Sequence, residues 1–388
     1  MKKYEIRRDG WKVAIFDENG KMISPDWFDE ISEYGLISRE SKYYIAKKGG
    51  KSAIFDVNGN RITEWFDDVY PSGLVFGQSP YYLAKKDGKY AIFDVNGNMI
   101  SPGWFDGIVL TGLVGGESKY YIARKGGKET IFDIDGNRIT GWFNKIYSNG
   151  LVDGRSEYYL VKKKGKYAIF HKDGNMISPD WFDGIKGDGS DGLVEGKSDY
   201  YIAEKDKKWA IFDKNGNMIT KEWYDWIWED GLVKGESNYY LANKDGKWAI
   251  FDKSGNKISE WFNEIYSSGL VKRESDYYLA RKGNKWAIFD KGGNQITEEF
   301  DRVSSDGLVK GKSDYYIACN GDTCAVYHKD GKKVSYDFPI EEIKKAKNIT
   351  FNDGLGIVEI KAYNETITIE FYPVIKEEFL DYTKLLNI

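Results

Sequence analysis

The chain has 388 residues, and its 57 lysines and arginines against 61 aspartates and glutamates give a net charge of −4. Without a basic surplus, the composition argues against binding to nucleic acid or to an anionic membrane. No apolar stretch approaches the length of a membrane span, no apolar run follows the basic first residues, and only two cysteines occur. These features predict a cytoplasmic protein that does not bind membranes.

A segment similar to GKWAIFDKSGNKISEWF recurs nine times, at intervals of 38 to 42 residues. A near-constant period of this length is typical of a tandem repeat protein in which each copy forms one structural unit. We therefore predict one repeat array over residues 1–335 and a divergent C-terminal cap over residues 336–388. The alanine of the AIFD motif, or its equivalent, marks the copies at Ala14, Ala53, Ala91, Thr130, Ala168, Ala210, Ala249, Ala287 and Ala325.

Each copy is predicted to form a β-hairpin followed by a third, short strand. In SKYYIAKKGGKSAIFDVNGNRIT, residues 41–63, two strand-like segments flank Gly49 and Gly50, and glycine is frequent at the same turn in other copies. Glycine tolerates the positive φ of a two-residue hairpin turn. With that turn, Ala46 faces Ala53, and both faces of the hairpin are largely apolar. Neighbouring copies must therefore cover each hairpin.

The DVNGN segment that follows has alternating oxygen-bearing side chains at Asp56, Asn58 and Asn60, as a calcium loop does. In an EF-hand loop, however, glycine is the sixth residue and a glutamate closes the site at the twelfth, whereas Gly59 is fourth here. A type I turn with Gly59 in the left-handed region explains the same residues. We predict a turn and no metal site.

No catalytic arrangement is recognisable. His171 and His328 replace the aspartate of the AIFD motif, and neither has a second ligand or a base at a suitable spacing. A serine that recurs before the YY strand is predicted to cap the preceding turn through its hydroxyl. Catalytic groups are seldom copied eight times, so we predict a protein that is not an enzyme and has no cofactor. The serines are Ser41, Ser79, Ser118, Ser156, Ser198, Ser237, Ser275 and Ser313.

The segment EWYDWIWEDGLV breaks the pattern of its own array. Trp226 occupies a position that is polar or glycine in the other seven copies of the WFDxI motif, which indicates a solvent-facing site. Trp228, two residues later, shares its face if the segment is a strand. Clustered surface tryptophans are enriched at contact sites, so Trp226 and Trp228 are predicted to form an exposed apolar patch. The alternative is that the longer loop at 186–191 covers both rings.

The same hairpin register pairs residues next to the tight turn of each copy. It predicts an ion pair between Arg124 and Glu129, and it places Cys319 opposite Cys324 in the last copy. Two cysteines at such a pair lie close enough to form a disulfide, although both stay thiols in a reducing cytoplasm.

The predicted fold class is all-β, and two architectures fit the repeat: an open β-solenoid and a closed β-propeller whose blades contain four strands. In the first copy, Glu5 and Arg7 replace the apolar Tyr44 and Ala46, which is appropriate for an end that no copy covers. A hairpin over 357–374 and a short helix after it are predicted to cover the other end. These features favour the open solenoid.

Three copies, KKWAIFDKNGNMIT, GKWAIFDKSGNKIS and NKWAIFDKGGNQIT, resemble the bacterial WG repeat, also called the KWG repeat, over about residues 4–335. Alanine follows the tryptophan where that family has glycine, and the tryptophan itself appears only as Trp209, Trp248 and Trp286. The resemblance implies a repeat scaffold and specifies no chemistry.

Stacked copies present periodic rows of side chains, which suit extended partners. We therefore expect an elongated scaffold whose partner is another protein, with a carbohydrate-binding surface module as the alternative. Most of the tryptophans that recur in the WF motif are instead expected in the core between copies. They are Trp27, Trp65, Trp104, Trp142, Trp181, Trp223 and Trp261.

Overall fold

The computed structural model describes residues 4–186, 192–362 and 366–373, and it is all-β apart from one five-residue helix. Long strands occur in pairs, and short strands follow each pair. The long strands are β1 Tyr4–Asp9, β2 Lys12–Asp17, β4 Tyr43–Lys48, β5 Lys51–Asp56, β7 Tyr81–Lys86, β8 Lys89–Asp94, β10 Tyr120–Lys125, β11 Lys128–Asp133, β13 Tyr158–Lys163, β14 Lys166–His171, β16 Tyr200–Lys205, β17 Lys208–Asp213, β19 Tyr239–Lys244, β20 Lys247–Asp252, β22 Tyr277–Lys282, β23 Lys285–Asp290, β25 Tyr315–Asn320 and β26 Thr323–His328.

The short strands lie in the WFDxI segments and their equivalent in the last copy. They are β3 Glu30–Ile31, β6 Asp68–Val69, β9 Gly107–Ile108, β12 Lys145–Ile146, β15 Gly184–Lys186, β18 Trp226–Ile227, β21 Glu264–Ile265, β24 Arg302–Val303 and β27 Phe338–Pro339. The C-terminal elements are α1 Ile340–Lys344, β28 Asn348–Asn352, β29 Ile357–Lys361 and β30 Thr366–Glu370. No helix within the described ranges is long and apolar enough to cross a membrane.

The predicted hairpin register is confirmed. In the second copy Ala46 faces Ala53 across β4 and β5, and the turn residues Gly49 and Gly50 have φ of 61° and 72°. The turn after β5 is also as predicted, because Gly59 has a φ of 82° and lies in the left-handed region.

From the second copy onwards, the short strand that pairs with each hairpin comes from the preceding copy. Phe28 first exchanges two backbone hydrogen bonds with Val13 of its own copy, and the chain then crosses to the next hairpin. There β3 pairs with β4, with Ile31 opposite Ala46. A three-stranded sheet thus contains residues of two sequence copies.

The third, short strand predicted after each hairpin is reduced at NRIT, residues 60–63, to one bridge between Arg61 and Phe55. The GLV segments, which a propeller blade would use as its fourth strand, form turns. Leu74 and Val75, in one of these turns, are nonetheless buried. The segment therefore contributes to the core through its side chains without pairing as a strand.

Within the repeat array, hydrophobic cores lie between consecutive copies. Ile15 and Phe28 of the first copy pack with Tyr44 and Phe55 of the second. The tryptophan of the WF motif lies at the edge of these cores, as Trp65 does in the first one. Trp104, Trp142 and Trp181 do the same in later cores, which confirms the predicted inter-repeat position for these residues.

Consecutive copies are also linked by the recurring serine. The Ser41 hydroxyl accepts a hydrogen bond from the Tyr43 N–H at 3.1 Å, as the predicted turn cap, and donates another to the Val75 carbonyl of the next copy at 2.6 Å. The same hydrogen bond to a valine carbonyl of the next copy, 2.6 Å long in each case, is donated by Ser79, Ser118, Ser156, Ser237 and Ser275.

The ends of the described chain differ from its interior. β1 pairs with β2 and has no second partner strand among the described residues, and its Glu5 and Arg7 are exposed, as predicted for the end of an open array. At the other end β29 and β30 form the predicted hairpin, and Val358 and Phe371 are buried in one core with Ile317 of the last copy. The helix predicted after this hairpin lies outside the described residues.

The contacts divide the chain into two compact units. The first contains residues 1–206 and 212–217, and the second contains 207–211 and 218–388. The division falls at β17, inside the repeat array. The proposed boundary at residue 335 stays a prediction, and residues 336–373 include several that share the core of the last copy.

Candidate functional site

One row of side chains crosses each sheet of the repeat array that contains a short strand and two long strands. It contains the first residue of the short strand, the fifth residue of the first long strand and the second residue of the other long strand. In the second copy these are Glu30, Lys47 and Ser52, and the first two form an ion pair at 3.1 Å. In the seventh copy they are Trp226, Asn243 and Trp248. The row of the seventh copy therefore carries two tryptophans at positions that are polar in the second copy.

Two pairs of indoles lie at the short strand of this sheet. Trp226 lies edge-on to Trp209, with ring centroids 5.5 Å apart, and Trp228 lies 6.0 Å from Trp248. Trp226 and Trp228 are 42% and 46% exposed, whereas Trp209 and Trp248 are half-buried. We call these four residues the tryptophan patch.

The β-structure holds the patch in place on both sides. The Asp225 N–H donates to the Asn243 carbonyl at 2.9 Å, and the Trp228 N–H donates to the Leu241 carbonyl at 3.0 Å. These bonds fix the backbone on either side of Trp226, whose own residue pairs with Asn243. Residues 187–191, most of the loop that was the alternative cover, lie outside the described residues.

The sequence pointed to the two exposed indoles but missed the two that support them. Trp209 and Trp248 carry the KWA motif of neighbouring copies, and equivalent rings recur elsewhere, as in the pair of Tyr266 and Trp286 at 5.2 Å. Such pairs can be recognised in the sequence because two positions change in size together: the residue after the short strand and the second residue of the second long strand of the same sheet. Where the short strand is followed by a serine, as at Ser32, the opposing position is also small, as at Ser52.

The pairs next to the hairpin turn have the predicted contacts. Arg124 donates to Glu129 at 2.6 Å. Cys319 lies opposite Cys324 and the two are joined by a disulfide with an S–S distance of 2.06 Å. Both cysteines are buried in the core that the last copy shares with the C-terminal hairpin.

The aspartate and histidine side chains that could bind a metal or take part in catalysis are hydrogen-bonded or ion-paired within turns. Burial alone would raise the pKa of Asp56, but hydrogen bonds from Asn60 and Asn58 hold that pKa below its ordinary value. His171 contacts Asp173 at 3.1 Å, and His328 contacts Asp330 at 2.9 Å, each within its own turn. Across the described ranges no three histidine, cysteine, aspartate or glutamate side chains converge as a metal site would require.

No protein-family model matches the chain, and no curated protein does. Among solved structures, the chain is similar to a eukaryotic initiation factor at 12% identity and a TM-score of 0.30, over 87% of this chain and 96% of that one. It is similar to BamB from Moraxella catarrhalis at 12% identity and a TM-score of 0.26, over 77% and 91% of the two chains. For AztD from Citrobacter koseri the values are 10%, 0.25, and 95% of both chains. Similarity at this level assigns neither a fold nor a function.

Proposed function

We propose that this chain is a non-enzymatic scaffold that binds another protein through the tryptophan patch. The observation that carries the proposal is the exposure of two indoles that lie two residues apart, at 42% for Trp226 and 46% for Trp228, on a backbone fixed by strand pairing. A WG-like repeat array in the cytoplasm, without nucleic-acid or membrane binding, belongs to the same proposal and rests on composition and repeat pattern; in that compartment the Cys319–Cys324 pair is expected to be reduced.

Two exposed indoles side by side are unfavourable in water, because their apolar area is removed from water only when a partner covers it. Tryptophan is also among the residues that contribute most to binding free energy at protein interfaces. Since Trp209 and Trp248 pack against the exposed rings, few rotamers remain to be lost on binding, and this reduces the entropic cost of association.

The proposal is tested by affinity purification of partners from the source organism with the parent chain and with a Trp226→Ala, Trp228→Ala double variant. The matched control is Trp11→Ala, which removes a single indole that is 95% exposed at the first hairpin turn. We expect a partner captured by the parent and by the control to be lost by the double variant, and to bind the purified parent directly in calorimetry.

Unfolding midpoints of the three proteins must agree closely for the comparison to be valid. A partner retained by the double variant would contradict the proposal. A glycan array probed with the parent distinguishes protein binding from carbohydrate binding. Specific signals that the double variant loses would show that the tryptophan patch binds a carbohydrate and not a protein.

A further inference from the structure

A second candidate site lies away from the tryptophan patch, in a cleft of about 620 Å³ between the eighth and ninth copies and the segment around α1. Its volume is within the roughly 300–1,000 Å³ that is typical of small-molecule sites. Trp286 and Tyr266 form an aromatic wall, and Ile343 and Ile349 line the side near the C-terminal elements.

The carboxylates that line the cleft are already neutralised within the chain. Glu264 pairs with Arg281 at 3.0 Å and Asp301 pairs with Lys285 at 2.7 Å. The third, Asp306, pairs with a lysine four residues later at 2.7 Å. The lining therefore offers little negative charge to a ligand.

Arg302 is different, because its guanidinium lines the same cleft, is exposed, and forms no ion pair with any described residue. The nearby Glu341 is engaged by Lys344 at 2.8 Å, and that lysine is the main reason why the pKa of Glu341 is lowered. Arg302 thus presents donors to the cleft that are available to an anion.

Neutral hydrogen-bonding groups surround this cation. The Asn284 amide and the Ser305 hydroxyl line the cleft, and neither side chain has a hydrogen-bond partner among the described residues. A guanidinium binds a carboxylate through two parallel N–H donors, amide and hydroxyl groups suit sugar hydroxyls, and an aromatic ring packs against the C–H face of a pyranose. One ligand class combines all three features.

We propose that this cleft binds a uronic acid, with the carboxylate on Arg302, the hydroxyls on Asn284 and Ser305, and the ring against Trp286. The site is independent of the tryptophan patch, since it shares no residue with it. It extends the chain's role from holding a protein partner to recognising an acidic sugar.

The test is calorimetric titration of the whole chain with sodium glucuronate, glucose, sodium benzoate and inorganic phosphate. We expect glucuronate to bind most tightly, since glucose lacks the carboxylate, benzoate lacks the hydroxyls, and phosphate lacks the ring. Arg302→Gln should weaken glucuronate by about 10- to 100-fold, as expected for loss of a hydrogen bond to a charged group, and should abolish the preference over glucose.

Arg138→Gln is the matched control, because Arg138 is exposed in the first unit and forms no ion pair with the described residues. It should bind glucuronate as the parent does, and so should the Trp226→Ala, Trp228→Ala variant, which separates this inference from the proposed protein binding. The inference is overturned if glucuronate does not bind, if Arg302→Gln binds it unchanged, or if glucose, benzoate or phosphate binds as tightly.

Discussion

Replacing Ser237 with alanine tests whether the serine bonds between copies stabilise the array. The Ser237 hydroxyl donates to the Val271 carbonyl of the next copy at 2.6 Å and accepts from the Tyr239 N–H at 3.1 Å. Val271 is completely buried, so its carbonyl has no access to water after the substitution, whereas Tyr239 is only partly buried. An unsatisfied buried acceptor costs about 1–3 kcal/mol, and alanine introduces no steric conflict. We expect a loss of about 2 kcal/mol in the free energy of unfolding.

The appropriate assay is native-state hydrogen exchange followed by mass spectrometry, because repeat arrays open locally as well as globally. A change of about 2 kcal/mol corresponds to roughly 30-fold faster exchange in peptides that contain residues 237–271. Ser254→Ala is the control, since Ser254 is exposed in a turn of the same copy, and its effect should stay within about 0.5 kcal/mol.

If Ser237→Ala exchanges at the rate of the Ser254 control, the bond between copies contributes nothing and the reasoning is wrong. Faster exchange confined to the turn before Tyr239, with residues near 271 unchanged, would show that the serine acts only as a local cap. That result would refute the assigned link while leaving the hairpin intact.

Two further substitutions examine other contacts between and within copies. Gly73→Ala should lower the free energy of unfolding in urea by about 1–3 kcal/mol more than Gly88→Ala does. A Cβ at Gly73 would lie 2.2 Å from the Tyr81 carbonyl oxygen, whereas Gly88, also at positive φ, faces open space. Equal losses for the two variants would contradict the close packing at Gly73. Burial alone would raise the pKa of Glu129, but hydrogen bonds from the Ile146 N–H, Arg124 and Lys145 lower that pKa below its ordinary value of 4.5. The ionised Glu129 therefore stabilises the fold fully above pH 4.5, and this stabilisation is lost as the pH falls through the lower pKa of the folded state. Glu129→Gln should therefore have a lower unfolding midpoint at pH 7 and a smaller fall towards pH 3 than the parent; parallel curves would rule this out.

The hairpins were predictable because the residues that specify each hairpin lie close together in the sequence. Two turn residues fix the register, and the register then dictates which side chains face each other, down to Cys319 and Cys324. The polar face of β1 was predictable for the same reason, since Glu5 and Arg7 take known positions on a known strand.

The contacts between copies could not be derived in this way. When every copy has the same segments, the pattern does not distinguish pairing within a copy from pairing with the next one, so β3 gave no sign that it pairs with β4. The serine has the same ambiguity, because its bond to Tyr43 is local whereas its bond to Val75 spans 34 residues. The contact of Trp228 with Trp248 joins two motifs that lie 20 residues apart in the sequence.

The offset between sequence copy and sheet has a consequence for how such a chain can evolve and be engineered. A duplicated segment of one period brings both a hairpin and the strand that completes its successor, so recombination can lengthen the array at any point in the period. Individual copies are nevertheless not interchangeable, because side chains meet across each junction in specific combinations. Tyr34 packs against Phe76 at one junction, whereas Asp230 pairs with Lys272 at another. Exchanging copies between these junctions would place an aromatic ring against a charge, so the order of the copies is itself encoded in the sequence.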